Sequence, residues 1–257
     1  MHLRFIALFI ASLFVRSAHA AEPLDRIALS PDKTTFVHAS TQKPFHPWGL
    51  NYDRDYHMRL LEDYWDKEWP TVAADFTEMK RLNANVVRIH LQIARFMDAP
   101  DKPNDHALAQ LARLLKLAEE TGLYLDLTGL ACYRRSDVPA WYTDLDEPAR
   151  WQTQANFWSA IAQTCAKSPA VFCYDLVNEP SVPGDARKPK DWLAGDLAGF
   201  TYCQVITLDP KGRNRTGLAI DWIKKMSAAI RQQDPRTLIT VGHRELPDLR
   251  DVPHPFR

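Results

Sequence analysis

Residues 171–180 read Val-Phe-Cys-Tyr-Asp-Leu-Val-Asn-Glu-Pro, and this stretch decides the fold class. Apart from one aspartate, its first seven residues are apolar or aromatic, which is typical of a strand buried on both faces of a parallel sheet. Asn178 and Glu179 follow directly, and Pro180 ends the strand. The pattern predicts a buried strand that carries an amide and a carboxyl group at its carboxyl end.

Short apolar runs alternate with longer segments of helical period on both sides of this stretch, which predicts βα units around a parallel sheet. Gly122 and the pair Asp234-Pro235 mark two of the helix ends. The predicted strands are 45–50, 85–91, 123–130, 171–177 and 238–241, and the predicted helices are 72–82, 107–121, 149–166 and 217–233.

Two α/β architectures fit this alternation, a (β/α)8 TIM barrel and an open doubly wound sheet. No Gly-x-Gly-x-x-Gly motif follows the first strand, and polar residues gather at the carboxyl ends of several strands, where a barrel has its active site. We therefore predict a TIM-barrel-type fold for residues 21–257. About five βα units are visible, whereas a closed barrel needs eight. We expect the barrel to be incomplete here, with the remaining strands beyond Arg257.

The composition is that of an ordinary globular protein, with 46% apolar and 25% charged residues in a chain of 257. These fractions exclude a disordered chain and a coiled coil. Lys and Arg together number 32, as do Asp and Glu. Without a basic excess to follow a phosphate backbone, nucleic acid is not an expected partner.

The first twenty residues have the pattern of a secretory signal peptide. Arg4 precedes an apolar run over 5–15, and Ala18-His19-Ala20 provides small residues at the two positions that a signal peptidase reads. The run is too short for a membrane anchor, because it would rise only about 16 Å as a helix. We predict cleavage after Ala20, a secreted or periplasmic protein, and no membrane association after cleavage.

Four cysteines follow the leader, Cys132, Cys165, Cys173 and Cys203. None belongs to a Cys-x-x-Cys pair, so zinc-ribbon and thioredoxin-type chemistry have no support. A disulfide between Cys165 and Cys173 and buried thiols both remain open. No His-x-x-x-His or cysteine cluster offers metal ligands, so we predict neither a metal nor a cofactor.

Several other predicted strands also end in polar side chains, so we interpret Asn178 and Glu179 as part of a functional site. A plain turn is the alternative. A carboxyl group at such an end, desolvated by neighbouring rings, is suited to donate a proton. Arg88 and His90 share one face of the second strand, since they are two residues apart. Arg88 in a structural ion pair, and His90 as a satisfied core histidine, are the alternatives.

Four motifs in the same order resemble glycoside hydrolase family 5 and its relatives in clan A, the cellulase and mannanase type. The similarity extends over about residues 40–245, and the fourth motif is the most specific. The motifs are Trp-Gly-Leu-Asn at 48–51, Asn-Val-Val-Arg at 85–88, Leu-Asp-Leu at 125–127 and Leu-Val-Asn-Glu-Pro at 176–180.

The resemblance implies an exported retaining glycoside hydrolase that cleaves a β-linked glucan or mannan. It implies that Glu179 is the general acid/base, that Asn178 holds the 2-hydroxyl of the sugar, and that Arg88 orients the nucleophilic carboxylate. Core or rim packing is the alternative for each aromatic residue that could stack on a sugar. The candidate substrate-binding residues are Trp48, Asn51, Tyr52, His90, Trp141 and Tyr142.

The chain departs from the family pattern at the third strand, which has Thr128 where many members have histidine. The family places the nucleophile at the end of strand seven, beyond Arg257, so we assign none. Glu245 is a weak alternative, and Asp53 and Asp126 are better interpreted as structural or subsite carboxylates. A carbohydrate-binding barrel without catalysis is therefore the alternative function. A metal-dependent isomerase or an esterase has no supporting motif.

The segment 193–216, between the fourth strand and the next helix, is long and rich in turn signals. It could form a wall of the substrate cleft, or it could be a plain surface connection.

Overall fold

A parallel sheet of five strands forms the centre of the computed structural model, which describes residues 23–242. The strands lie side by side in chain order, and every neighbouring pair is parallel. Their bounds are Gly49–Asn51, Val86–Gln92, Tyr124–Ala131, Val171–Asp175 and Leu238–Thr240. The predicted signal peptide 1–20 and Glu245 lie outside the described residues.

The first strand is shorter than predicted, because the predicted stretch 45–50 joins two separate strands. Phe45 ends the strand Pro44–Phe45 of a different sheet, and the barrel strand begins only at Gly49. Pro47 lies between them and has no N–H to donate to a ladder. The predictions for the other four strands are confirmed to within a few residues.

Each of the first four strands is followed by a long helix, which confirms the predicted βα alternation. Three of these helices begin two residues before their predicted starts, because Asn104, Asp146 and Asn214 cap them by accepting a backbone N–H at 2.8–3.0 Å. The long helices are Trp69–Arg81, Asp105–Thr121, Glu147–Cys165 and Arg215–Gln233. Short helices lie at Leu61–Tyr64, Ile93–Phe96, Arg135–Asp137 and Ala140–Asp144.

The helices pack on the outer side of the sheet through a continuous apolar core. The closest approach is at Gly129 in the third strand, where a Cβ atom would lie 2.3 Å from the ring of Trp158. Glycine therefore lets the helix Glu147–Cys165 lie directly on this strand. Five parallel strands and the four long helices that connect them, with one apolar core, are part of a (β/α)8 barrel, as the sequence predicts. In the part of the chain that the structure describes, no helix combines the length and the apolar character needed to cross a bilayer.

A small antiparallel sheet covers the amino ends of the central strands. Its strands are Ile27–Leu29, Phe36–His38 and Pro44–Phe45. Phe45 packs edge-on against Tyr124 at 5.1 Å, and Phe36 packs edge-on against Phe172 at 5.0 Å. Because these rings join the strand starts into one apolar cluster, this end of the sheet is closed.

A second small sheet lies at the carboxyl ends and is built mainly by the segment after the fourth strand. Its strands are Pro180–Ser181, Leu193–Leu197 and Phe200–Val205, the last two forming an antiparallel hairpin. Thr201 fixes this hairpin to the end of the third strand, donating its N–H to Tyr133 O and its hydroxyl to Cys132 O, both at 2.7 Å. The segment 193–216 therefore begins as a wall over the strand tips rather than as a plain connection. A further hairpin pairs Met97–Ala99 with Lys102–Pro103.

The four cysteines are buried thiols, and no disulfide joins Cys165 to Cys173. Burial raises the pKa of the Cys132 thiol to about 12, and it raises those of Cys165 and Cys173 as well.

Candidate active site

Arg88 is the centre of the polar group at the carboxyl ends of the strands. From the second strand, its Nη2 donates to Asp175 Oδ2 at 2.6 Å and to Asn178 Oδ1 at 3.1 Å. Its Nε lies 3.6 Å from Asp126 Oδ2. The structure thus brings together Arg88 and Asn178, and it also gives Arg88 the ion pair that the sequence left as an alternative.

Two carboxylates, those of Asp175 and Asp126, balance the charge of Arg88. Asp175 is almost fully buried and also accepts hydrogen bonds from the hydroxyl of Thr128 at 3.0 Å and from Gly242 N at 3.1 Å. Burial and the charge of Asp175 together raise the pKa of Asp126 to about 6, although Arg88 opposes this shift. Thr128 is therefore a buried partner of this carboxylate group.

Glu179 lies beside this group, half-buried, one residue after Asn178. The Cys203 thiol donates to Glu179 Oε2 over 3.1 Å, and the amide of Asn178 donates to Tyr202 O over 2.8 Å. Both partners come from the strand Phe200–Val205 of the wall. The wall therefore holds the amide and the carboxyl group from one side.

The backbone at two strand tips is in the left-handed region. Glu179 has a φ of 45°, and Leu130, near the end of the third strand, has a φ of 54°. Non-glycine residues seldom adopt these angles, and each one costs about 1–3 kcal/mol that the surrounding structure has to supply. Such residues concentrate at functional sites, so the conformation of Glu179 supports a functional role for its side chain.

His90 lies below the site and forms part of a buried polar chain. Its Nδ1 is hydrogen bonded to the hydroxyl of Tyr133, whose backbone N–H donates to Gln92 Oε1 at 3.0 Å. Burial, with a contribution from the charge of Arg88, lowers the pKa of His90 to about 3. His90 is therefore neutral at physiological pH and lies in the core rather than at an exposed surface beside Glu179.

Glu62 ends this chain in the short helix after the first strand. Its Oε1 accepts the backbone N–H of Gln92 at 2.9 Å, and its side chain is buried. Burial is the main cause of a rise in the pKa of Glu62 to about 7. The loop after the first strand is thus tied to the second and third strands by a carboxyl group that titrates near neutral pH.

The structure separates two predicted sugar-binding aromatics from the site. Trp48 is 56% exposed, but it precedes the first strand and therefore lies at the amino end of the sheet, opposite Glu179. Tyr142 is completely buried, and the guanidinium of Arg150 lies 3.7 Å from the centre of its ring. Neither ring face is available to a sugar beside Glu179.

Three further substrate-binding predictions have different surroundings. Asn51 is exposed at the end of the first strand and is paired in register with Arg88, so it stays a candidate. Tyr52 is buried and donates to Asp75 Oδ2 at 2.5 Å. Trp141 is partly buried and packs edge-on against Tyr142 at 5.7 Å.

Cys203 and Tyr202 are site residues that the sequence did not single out. They lie more than twenty positions after Glu179, and no motif joins them to it. Only the pairing of the strand Phe200–Val205 with Pro180–Ser181 brings them to the tip of the fourth strand. Among residues 23–242, no group of three or more His, Cys, Asp or Glu side chains is placed to hold a metal ion.

These features define a TIM-barrel-type protein in which an arginine of the second strand contacts an amide that follows the fourth strand, with a carboxyl group at the next position. Residues 40–248 match the sequence model described as Cellulase (glycosyl hydrolase family 5), and the chain belongs to this family. The resemblance predicted from the four motifs is confirmed. No curated protein matches the chain.

Several solved structures share the fold. A GH5_18 protein from Streptomyces cattleya, in complex with GlcNAc, is 20% identical with a TM-score of 0.56, over 77% of this chain and 44% of that one. The exo-β-1,4-mannosidase Op5Man5 from Opitutaceae bacterium strain TAV5 is 20% identical with a TM-score of 0.58, over 79% of this chain and 33% of that one. The chain therefore spans less than half the length of these structures.

Proposed function

We propose that this chain supplies the acid/base side of the active site of an exported retaining glycoside hydrolase that acts on β-linked glucans or mannans. The observation that carries the proposal is the position of Glu179. It is half-buried at a strand tip, contacts the Cys203 thiol, and follows an amide that Arg88 and the wall hold in place.

In the first step, Glu179 donates its proton to the glycosidic oxygen as the bond to the anomeric carbon breaks. A second carboxylate attacks that carbon from the other face and forms a glycosyl ester. In the second step, the Glu179 carboxylate takes a proton from water, and the water oxygen displaces the ester. We assign no nucleophile among the described residues. The family resemblance puts it at the end of strand seven.

Asn178 and Arg88 have supporting roles in this proposal. The oxygen and the nitrogen of the Asn178 amide are both engaged, which fixes the orientation of the amide toward a sugar 2-hydroxyl. Arg88 uses Nη2 and Nε in its contacts with Asp175, Asn178 and Asp126. Its Nη1 makes no hydrogen bond within residues 23–242, so it remains able to orient the nucleophile.

The nature of the substrate is the least specific part of the proposal. One similar structure, of the Streptomyces cattleya GH5_18 protein, is a complex with Manβ1-4GlcNAc, and another similar protein is an exo-β-1,4-mannosidase. β-Mannosides are therefore the first substrates to test, followed by β-glucans.

The test compares Glu179→Gln with wild type in the exported, full-length gene product, whose first residue should be Ala21. General acid catalysis contributes about 10²–10⁴-fold, so we expect kcat/KM on β-glycans to fall by about this factor with unchanged thermal stability. The loss should be much smaller on dinitrophenyl glycosides, whose leaving group needs no proton. Azide added to Glu179→Ala should restore turnover and give the β-glycosyl azide.

Glu78→Gln, on the exposed side of the helix Trp69–Arg81, is the matched control and should keep full activity. Equal losses on natural and activated substrates would refute the acid/base role. Binding of the glycan by the wild-type protein without hydrolysis would instead favour the alternative function, a carbohydrate-binding barrel.

A further inference from the structure

Arg150 is a buried cation away from Glu179. It lies in the first turn of the helix Glu147–Cys165 and is 1% exposed. Its guanidinium lies between two aromatic rings, 3.7 Å from the ring centre of Tyr142 and 4.4 Å from that of Trp192. Nη1 donates to Tyr142 O at 2.7 Å, and Nη2 donates to Gln204 Oε1 at 3.4 Å.

The charge of Arg150 has no acidic partner in the part of the chain that the structure describes. All of its polar contacts are with neutral groups, and its buried Nε has no hydrogen-bond partner there. A buried charge without a counter-ion is strongly unfavourable, and cation–π contacts offset only part of this penalty. The uncompensated charge favours binding of an anion close to Arg150.

A cavity of about 200 Å³ lies beside this guanidinium, and its lining is basic. Arg135, Arg150 and Lys190 line it, together with Thr143 and three apolar residues, and none of the lining residues is acidic. Arg135 forms an ion pair with Asp196 at 3.2 Å, and Lys190 forms one with Asp144 at 2.7 Å. These pairs are exposed and contribute little, so both cations can turn toward a bound anion at small cost.

We propose that this cavity is a binding site for a single small oxyanion, of the size of a carboxylate or sulfate group. Arg150 provides a buried charge, while Arg135 and Lys190 provide two further charges from more exposed side chains. An oxyanion matches the several N–H donors of this arrangement because its oxygens accept hydrogen bonds in several directions. The anion can come from solution or be an acidic substituent of a sugar.

The site lies behind the wall of the proposed substrate cleft. Neighbouring residues of the strand Phe200–Val205 point to opposite faces, so Gln204 contacts Arg150 while Cys203 contacts Glu179. Binding of an anion here requires no hydrolysis. Its failure can therefore be distinguished from failure of the proposed activity.

The experiment measures binding of sulfate, acetate, glucuronate and glucose to the full chain by calorimetry, at constant ionic strength. We expect one saturable site for sulfate and for the carboxylates, and none for glucose. A preference for glucuronate over acetate of at least threefold assigns the site to an acidic sugar. Equal affinities assign it to free anions.

The double variant Arg135→Ala with Lys190→Ala should bind at least tenfold more weakly, and both side chains are exposed enough for the fold to be retained. The matched control, Lys102→Ala with Lys116→Ala, removes the same charge far from the cavity. It should bind within twofold of wild type. Arg150→Gln, checked for its fold by circular dichroism, should abolish binding. No saturable binding of any anion, or equal weakening by the two double variants, would overturn the proposal.

Discussion

The two ends of the same five strands have opposite chemistry. At the amino end, Phe45, Tyr124 and Phe172 form an aromatic cluster under a small antiparallel sheet. At the carboxyl end, Arg88 and Asp126 are partly open to solvent, and Asp175 is buried beside them. One end is closed by apolar contacts, whereas the other keeps charges in a low-dielectric setting. Each strand therefore contributes to stability at its amino end and to the chemistry of the site at its carboxyl end.

The energetics of the two ends differ accordingly. Burying a large apolar side chain at the amino end contributes about 1.5–3 kcal/mol. Burying a charge at the carboxyl end is unfavourable, and it is tolerated only because Arg88 and Asp175 neutralise one another at 2.6 Å. Substitutions at the amino end should therefore change stability alone, while substitutions at the carboxyl end should also change function.

The largest loss of stability is expected from Phe45→Ala, at the amino end. It removes a ring that contacts Tyr124 and Phe172, so the free energy of unfolding should fall by about 3–5 kcal/mol. Urea unfolding measures this loss, and glycan binding by the folded fraction should be unchanged. Leu29→Ala, an exposed position on the same small sheet, is the control and should have little effect. A similar, small effect of both substitutions would show that the sheet does not close this end.

A smaller loss is expected from Arg88→Leu, at the carboxyl end. The substitution leaves Asp175 buried without its cation, so the free energy of unfolding should fall by about 3 kcal/mol at pH 8. This is the lower limit for a broken buried pair, because Arg88 is partly exposed. The loss should shrink below pH 6, where Asp126 becomes protonated. Arg81→Leu breaks an exposed pair with Glu78 and serves as the control, with no measurable loss expected. An equal loss at pH 5 and pH 8 would contradict this interpretation of the charge group.

The smallest effect is a pH dependence that Glu62→Gln should remove. The pKa of Glu62 is about 7 in the folded chain, against 4.5 for an ordinary glutamate, with Arg95 and Asp63 as its charged neighbours. The folded state therefore holds an extra proton between these values, and the contribution of Glu62 to stability is lost as the pH rises through about 7.

Glutamine does not ionise, so Glu62→Gln should gain about 2 kcal/mol relative to wild type between pH 5 and pH 8. Urea unfolding of both proteins at each pH gives this difference. Glu120→Gln, an exposed carboxylate on the helix Asp105–Thr121, should give a constant difference across the same range. A constant difference for Glu62→Gln would show that Glu62 is ionised in the folded chain throughout.

The sequence was sufficient to predict most of the fold, because periodic and capped segments carry local signals. Asn104 and Asp146 begin helices through their own side chains, and the strand at 171–175 is buried along its whole length. The first strand was predicted less well. The apolar residues on both sides of Pro47 look like one continuous run in the sequence, although the two sides belong to different sheets.

The site was predictable where its residues lie at the ends of periodic strands, and not elsewhere. Arg88 and Asn178 were predicted from their strands together with the family resemblance, and their contact at 3.1 Å agrees with this. Nothing local distinguishes the exposed Trp48 from the buried Tyr142, because only the packing of the whole chain decides which ring is accessible. The contact of Cys203 with Glu179 depends on the path of a hairpin, which has no signal in the residues themselves.

The burial of all four thiols has a practical consequence for work on this protein. Because no sulfur–sulfur bond holds the described fold together, a reducing agent breaks no bond within residues 23–242. The native thiols are also shielded from alkylating reagents. A single cysteine introduced on the outer surface, for example in place of the exposed Tyr56, can therefore carry a fluorophore without removal of the native four.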